Sequence, residues 1–153
     1  MGIYHVIIVD DEPLARFRIR SLLEQDPEIE ILAECETGLQ AIDAIRTYVP
    51  DLIFLDIQLP EKDGFGIIEE IGAERMPEVI VVTAYENKAI LAYKKYHYPY
   101  LLKPFDSDQF KAILSLAKRR IIESIGQHHD QGRQQKPIKN SLEVRKQISR
   151  AQR

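Results

Sequence analysis

Five short apolar runs recur along the 153-residue chain, and each is followed by a segment whose apolar residues have helical spacing. The runs lie at residues 6–9, 29–35, 52–55, 79–82 and 100–102. Most of them are continuously apolar, as strands covered on both faces usually are. Strands that alternate with helices predict a parallel sheet with helices on both of its faces. The chain is therefore expected to fold as an α/β protein with one core.

The predicted helices cover residues 12–25, a segment that begins at 37–38, and residues 65–71, 86–96 and 106–122. Asp106 is expected to cap the last of them. The expected apolar residues of the first two helices are Leu14, Phe17, Leu22, Leu23, Leu39, Ile42, Ile45 and Val49. Right-handed crossovers favour strand order 2-1-3-4-5. The predicted fold class is thus α/β, a flavodoxin-like (βα)5 three-layer sandwich with a five-stranded parallel sheet.

Polar residues directly follow four of the apolar runs, and they are Asp10, Asp11, Asp56, Thr83 and Lys103. In open parallel sheets the functional crevice lies outside the carboxyl ends of the strands, and neighbouring strands are ~4.8 Å apart. These side chains are therefore expected to meet at one edge. Clustered carboxylates repel one another unless a cation compensates them, so the sequence predicts a Mg²⁺ site. Alone, the Asp10–Asp11 pair would be explained equally well by a turn and a helix cap.

Asp56 is the predicted phosphoacceptor, because a carboxylate beside Mg²⁺ can attack a phosphoryl group and form an acyl phosphate. The metal and Lys103 would stabilise charge on the phosphoryl oxygens, and Thr83 would hydrogen bond to one of them. Taken singly, Thr83 is as well explained as a strand-end residue and Lys103 as a solvated charge. Their joint position at strand ends favours the functional interpretation.

The charge distribution separates a globular body from a tail. The net charge is −3, yet residues 119–153 hold nine of the 21 Lys/Arg and three of the 24 Asp/Glu. From residue 126 the composition indicates a linker or disorder, so we expect a domain over 1–125 and a polar basic tail over 126–153. No signal segment and no apolar stretch near the ~20 residues of a membrane helix is found, so a cytoplasmic protein without membrane contact is expected. The single cysteine, Cys35, is expected to be an inert core residue.

Five motifs follow one another along the chain: residues 7–13 (IIVDDEP), 51–60 (DLIFLDIQLP), 63–65 (DGF), 82–85 (VTAY) and 100–105 (YLLKPF). Together, over about residues 3–122, they resemble the receiver domain of two-component response regulators. Residues 12–16 (EPLAR), 56–60 (DIQLP) and 83–85 (TAY) are most similar to receivers that precede a LytTR (LytR/AlgR)-type DNA-binding domain.

The resemblance implies a phosphotransfer partner and a ligand set for the metal. Asp56 would accept the phosphoryl group from a cognate histidine kinase. Mg²⁺ would be held by Asp10, Asp11, Asp56 and the backbone carbonyl of Gln58. Such a protein catalyses its own aspartyl phosphorylation and dephosphorylation, and is a signalling phosphoacceptor rather than an enzyme with an external substrate.

The resemblance also implies a switch. Thr83 and Lys103 would contact the phosphoryl group, and Tyr100 would be the switch aromatic that follows Thr83 inward. This would alter the face formed by the fourth helix, the fifth strand and the fifth helix, through which output passes, often by homodimerisation. For Tyr100, simple packing in a strand is the alternative. The chain departs from the family at residues 96–99 (YHYP), where relatives usually carry small residues and an Asp, and His97 is expected to be a surface residue without a role.

Three other functions fit the sequence less well. A haloacid-dehalogenase-like phosphatase needs Asp-x-Asp after its first strand, which residues 10–12 (DDE) do not match. A nucleotide-binding module needs a glycine-rich phosphate loop, which the first turn lacks. A degenerate receiver that binds proteins without phosphorylation stays open. The chain has no room for a LytTR-type domain, so DNA contact is expected only through an output domain absent from it, and the chain is either truncated or a stand-alone receiver.

Overall fold

A five-stranded parallel sheet forms the centre of the protein. The computed structural model describes residues 3–132, with side chains through residue 126. The strands are β1 (Tyr4–Val9), β2 (Ile29–Cys35), β3 (Leu52–Leu55), β4 (Glu78–Thr83) and β5 (Tyr100–Leu102). The helices are α1 (Pro13–Leu23), α2 (Gly38–Tyr48), α3 (Gly64–Ile71), α4 (Glu86–Tyr96) and α5 (Ser107–Gly132), with a short 3₁₀ turn at Ala73–Arg75. The strand order is β2-β1-β3-β4-β5, which confirms the predicted flavodoxin-like fold.

The three central strands, β1, β3 and β4, are buried on both faces, and alternate residues serve two separate core clusters, whereas the edge strand β2 is mostly half-buried or exposed. In β1, Ile7 and Val9 pack under α2, α3 and α4, whereas Val6 and Ile8 pack under α1 and α5. All four are at most 1% exposed. Because successive side chains of a strand point to opposite faces, a continuously apolar run supplies both clusters at once. The result is the expected three-layer arrangement.

Side-chain caps fix where three of the helices begin. Thr37 Oγ1 accepts a hydrogen bond from Gln40 N at 3.1 Å ahead of α2, and Asp63 Oδ1 accepts one from Gly66 N at 2.9 Å ahead of α3. The Asp106 cap of α5 is confirmed, because its Oδ1 accepts from Gln109 N at 2.7 Å. Asp106 N in turn donates to Gln109 Oε1 at 2.9 Å, so donors at the helix start are satisfied reciprocally.

The predicted apolar face of α1 is wrong in part. Leu14 is 82% exposed and Phe17 is 56% exposed, while the core is contacted by Ile19, Leu22 and Leu23. Residues 19, 22 and 23 have the i, i+3, i+4 spacing of one helical face, and residues 14 and 17 lie on the opposite face. In α2 the same correction applies to Leu39, which is 55% exposed, and Val49 follows the helix as its left-handed C-cap at φ 49°.

The last helix is longer than expected. The sequence placed the end of the globular body near residue 125, but α5 continues to Gly132, through the start of the segment predicted as linker or disorder. The remainder of the predicted tail, residues 133–153, lies outside the described residues. Among the helices that are described, none combines the length and the apolar character needed to cross a membrane.

Cys35 ends β2 inside the core, as predicted. Its side chain is 3% exposed, and burial raises the pKa of the thiol to about 11. A thiol is reactive mainly as the thiolate, so this cysteine is inert at neutral pH.

Candidate functional site

Three carboxylates meet at the carboxyl edge of the sheet. Asp10 and Asp11 follow β1, and Asp56 follows β3, which pairs in parallel with β1 so that Val9 is opposite Leu55. Each aspartate offers an oxygen, and these oxygens lie within 4.8 Å of one another. Asp10 is fully buried, Asp56 is 5% exposed and Asp11 is exposed. The cluster is therefore open to solvent on one side only.

Local backbone hydrogen bonds orient the two buried carboxylates. Glu12 N donates to Asp10 Oδ1 at 2.9 Å, and Gln58 N donates to Asp56 Oδ1 at 2.9 Å. Each aspartate thus closes a short turn two residues ahead, the usual Asx pattern. This leaves one oxygen of each carboxylate, Oδ2, free of the backbone.

Lys103 occupies the space between those free oxygens. Its Nζ lies 2.8 Å from Asp10 Oδ2 and 3.1 Å from Asp56 Oδ2, and it is also 3.1 Å from Glu12 Oε1. The residue follows β5, and its N–H donates to Thr83 O at 2.9 Å, which extends the ladder between β4 and β5. The Lys103–Pro104 peptide bond is cis. One ammonium therefore compensates part of the clustered negative charge.

The charges at this edge shift the ionisation of both partners. Burial raises the pKa of the Asp56 carboxyl to about 6; the Gln58 amide and the Lys103 ammonium oppose this rise, and the Asp10 charge adds to it. Burial disfavours the ammonium of Lys103, but its contacts with Asp10 and Asp56 outweigh that effect and raise its pKa. At neutral pH Asp56 is mainly ionised and Lys103 is charged, so the site holds a carboxylate beside a fixed cation.

Thr83 and Tyr100 lie on the two neighbouring strands β4 and β5. Thr83 is fully buried, and its Oγ1 accepts a hydrogen bond from Tyr85 N at 3.2 Å. Tyr100 is half-buried and pairs with Val81, two residues before Thr83. Residues two apart in a strand share a face, so Thr83 and Tyr100 lie on the same side of the sheet.

The aromatic segment before Tyr100 is ordered by stacking. Tyr96 ends α4, and its ring stacks on Tyr98 with 5.3 Å between centroids. Tyr98 is 8% exposed within the core cluster under α4. His97 lies between them in a left-handed conformation at φ 64°, and its ring contacts Tyr93 edge-on. The unusual YHYP segment thus anchors the end of α4 to the sheet.

Two residues at the site were missed from the sequence. Glu12 contacts Lys103 as described above, and Arg16 Nη1 donates to the backbone oxygen of Asp10 at 2.6 Å. Both lie at the start of α1, within six residues of Asp10. The available signal was a basic residue about one helical turn after an acidic pair, which places its side chain back toward the preceding loop.

The donor set fits a hard divalent cation. Mg²⁺ prefers oxygen ligands and uses one or two carboxylates while it keeps several waters. Asp10 Oδ2 is buried and accepts no well-formed hydrogen bond, although the Lys103 ammonium lies beside it. An oxygen of this kind is available to a metal once the ammonium shifts. Asp11, being exposed, could supply a ligand on the solvent side.

A family model described as "Response regulator receiver domain" matches residues 6–115. The chain belongs to this family. This receiver is 38% identical over 110 residues to the transcriptional regulatory protein BtsR of Escherichia coli, covering 72% of this chain and 46% of BtsR. It is 33% identical over 122 residues to the sensory transduction protein LytT of Enterococcus faecalis, covering 79% of this chain and 50% of LytT. These relatives confirm the resemblance to receivers of LytTR-type regulators.

Solved structures agree with the family. The receiver domain of AraT from Geobacillus stearothermophilus matches with a TM-score of 0.71 at 25% identity, covering 80% of this chain and 98% of that one. The response regulatory domain of mrkE from Klebsiella pneumoniae matches with a TM-score of 0.71 at 27% identity, covering 78% of this chain and 98% of that one. The chain spans about half the length of the curated relatives it matches, whereas it covers nearly all of these isolated receiver domains.

Proposed function

We propose that this receiver takes a phosphoryl group from a cognate histidine kinase onto Asp56, with Mg²⁺ as cofactor. The observation that carries the proposal is Lys103, whose Nζ lies 3.1 Å from Asp56 Oδ2 while Asp10 and Asp11 lie alongside. The Asp56 carboxylate, which would act as the nucleophile, thus lies beside a cation and a set of metal ligands. Phosphoryl transfer needs mainly this combination of positioning and charge stabilisation.

The transfer step has a simple balance. A carboxylate oxygen of Asp56 forms a P–O bond while the P–N bond of the donor phosphohistidine breaks, and the departing imidazole nitrogen keeps the electron pair and takes up a proton. Asp10, Asp11, Asp56 and the Gln58 carbonyl would hold Mg²⁺, which would supply neutralising charge for the phosphoryl oxygens. Lys103 remains beside the new phosphoryl group. The chain catalyses its own modification and is not an enzyme with an external substrate.

The proposed switch uses the face shared by Thr83 and Tyr100. A phosphoryl group on Asp56 would draw the Thr83 hydroxyl toward it and away from its bond with Tyr85 N. Tyr100 would then turn into the space that Thr83 leaves. The surface altered is the α4-β5-α5 face, where Leu91 on α4 and Ile122 on α5 are each more than half exposed. Pairing of two receivers through this face would carry the signal, and exposed apolar side chains suit such a contact.

The proposed output is transcription, by analogy with BtsR, which is described as a transcriptional regulatory protein. In this proposal residues 1–125 act as the receiver and 126–153 connect it to an output domain that alone contacts DNA. A cytoplasmic location belongs to the proposal, because kinases that use ATP and genomic targets are found there.

The test is phosphorylation by a small-molecule donor. The chain is incubated with acetyl phosphate and Mg²⁺ and then analysed by intact-mass spectrometry, beside the Asp56→Asn variant. We expect one added phosphate on the native chain and none on the variant, with equal circular dichroism spectra. A native chain that gains no phosphate under any condition would favour the degenerate receiver that binds partners without phosphorylation.

A further inference from the structure

Arg16 joins the metal-binding turn to the edge of the sheet. The side chain rises from the first turns of α1 and is 13% exposed. Its Nη1 donates to the backbone oxygen of Asp10 at 2.6 Å. On its other side, Nε lies 3.6 Å from Glu34 Oε1 and Nη2 lies 3.7 Å from Glu36 Oε2. A single guanidinium thus links the end of β1 to the end of β2.

Asp10 makes four contacts, and only one of them uses an oxygen that a metal would need as a ligand. Its N–H donates to Cys35 O at 3.0 Å, its Oδ1 accepts from Glu12 N, and its carbonyl accepts from Arg16. The fourth contact, between Oδ2 and the Lys103 ammonium, uses an oxygen that a cation needs. Arg16 binds the main chain instead, so its bond can persist when Asp10 and Asp11 ligate a cation.

We propose that Arg16 is a positioning residue for the metal site: it holds the Asp10–Asp11 turn in the geometry that binds Mg²⁺. The inference rests on the proposed function, since Mg²⁺ at this cluster is part of it. Groups that hold metal ligands in place raise metal affinity without touching the ion. Glu34 and Glu36 offset the charge of the guanidinium, which would otherwise repel a nearby cation.

The direction in which Mg²⁺ affinity changes on substitution distinguishes positioning by Arg16 from an effect of its charge alone. If Arg16 acted only through its positive charge, then Arg16→Ala would tighten Mg²⁺ binding, because a like charge near the cation is removed. If it acts by position, the same change weakens binding. Arg16→Lys separates the two effects further, because it keeps the charge but has a single nitrogen in place of the three from which Arg16 reaches Asp10, Glu34 and Glu36.

The chain also offers a matched control in Arg20. This residue lies one turn further along α1, and its Nη1 contacts the same Glu34, at 2.7 Å from Oε2. Its guanidinium stacks over the Phe17 ring, away from the Asp10 turn, with 5.3 Å to the ring centroid. Arg20→Ala therefore removes an equal charge and a Glu34 contact without releasing the Asp10 carbonyl.

The experiment is isothermal titration calorimetry of Mg²⁺ alone into the native chain, Arg16→Ala, Arg16→Lys and Arg20→Ala. We expect Arg16→Ala to raise the Mg²⁺ Kd by about tenfold. Arg16→Lys should give an intermediate value, and Arg20→Ala should match the native chain. The thermal midpoint without Mg²⁺ is measured for each protein, and if Arg16→Ala does not fold, Arg16→Lys carries the test.

Three results would overturn the inference. An Arg16 variant that binds Mg²⁺ as tightly as the native chain, or more tightly, would remove the positioning role and leave the proposed function intact. Equal weakening in Arg16→Ala and Arg20→Ala would mean that general charge or packing of α1 is responsible. A native chain that binds no Mg²⁺ would overturn the metal site itself, and with it both proposals.

Discussion

Gly38 occupies a position where the structure leaves no room for a side chain. It is the first residue of α2, and a Cβ placed on it would lie 1.9 Å from the backbone oxygen of Lys62 and 2.8 Å from its carbonyl carbon. The first of these distances is more than an ångström below any contact that real Cβ atoms make. Lys62 lies in the loop between β3 and α3, which also carries Gln58. Gly38→Ala must therefore push α2 and this loop apart.

The expected cost follows from the nature of the obstacle. The clash is with backbone, which cannot rotate away as a flexible side chain could, so the substitution behaves as overpacking and should lower the free energy of unfolding by about 1–3 kcal/mol. In a domain of this size that corresponds to a fall in the thermal midpoint of about 4–10 °C. Because the displaced loop supplies the Gln58 amide to Asp56, Mg²⁺ affinity should fall as well.

Gly126 provides the control with the opposite sign. It lies in α5, and a Cβ there would meet no heavy atom within 4 Å. Gly126→Ala should raise the free energy of unfolding by up to about 1 kcal/mol, because alanine loses less backbone entropy in a helix. Urea unfolding followed by far-UV circular dichroism measures the free energy of unfolding of both variants. If Gly38→Ala is as stable as the native chain, the close approach of α2 to the loop is refuted.

Two further predictions concern charge. Burial raises the pKa of Glu78 to about 7 despite Arg120, whose Nε lies 2.9 Å away, and the buried Tyr98 is its other neighbour. The pKa of Glu78 is higher in the folded state than in the unfolded state, so folding favours the protonated form, and the contribution of Glu78 to stability is lost as pH rises from 4.5 through 7. Glu78→Gln keeps an acceptor for Arg120. It should be more stable than the native chain by about 2–3 kcal/mol at pH 8 but not at pH 4.5. Equal pH profiles in urea unfolding would contradict this. Millimolar Mg²⁺ should raise the thermal midpoint of the native chain and leave Asp11→Ala unaffected, since binding to the folded state stabilises it; an unchanged native midpoint would count against the metal site.

The strands were predictable because their signals are local. Short apolar runs, or an alternating run in the case of Ile29–Cys35, bounded by turn residues gave Ile29–Cys35, Leu52–Leu55 and Tyr100–Leu102 with the bounds that the structure has. The face that a helix buries was harder, because it depends on how the helix rotates against the sheet. In α1 that rotation selects Ile19 and leaves Leu14 in solvent, which spacing alone did not decide.

The convergence of Asp10, Asp56 and Lys103 was predictable because the carboxyl ends of parallel strands share one edge. Their bonds with the backbone and with each other were not, since these depend on turn geometry. Arg16 was missed for a related reason: its place early in α1 indicates that its side chain points back toward the preceding loop, but not that it bonds the backbone oxygen of Asp10. The extension of α5 to Gly132 was missed because the polar composition after residue 125 resembles a linker.

Of the three neighbouring aspartates, Asp56 is the one that we propose accepts the phosphoryl group. Borohydride reduces an acyl phosphate to an alcohol and leaves free carboxylates unchanged, so it converts only the phosphorylated aspartate to homoserine. The chain is treated with acetyl phosphate and Mg²⁺, reduced, digested and mapped by tandem mass spectrometry. We expect homoserine at position 56 and unchanged aspartate at positions 10 and 11. Homoserine at Asp10 or Asp11, or at none of the three, would contradict it.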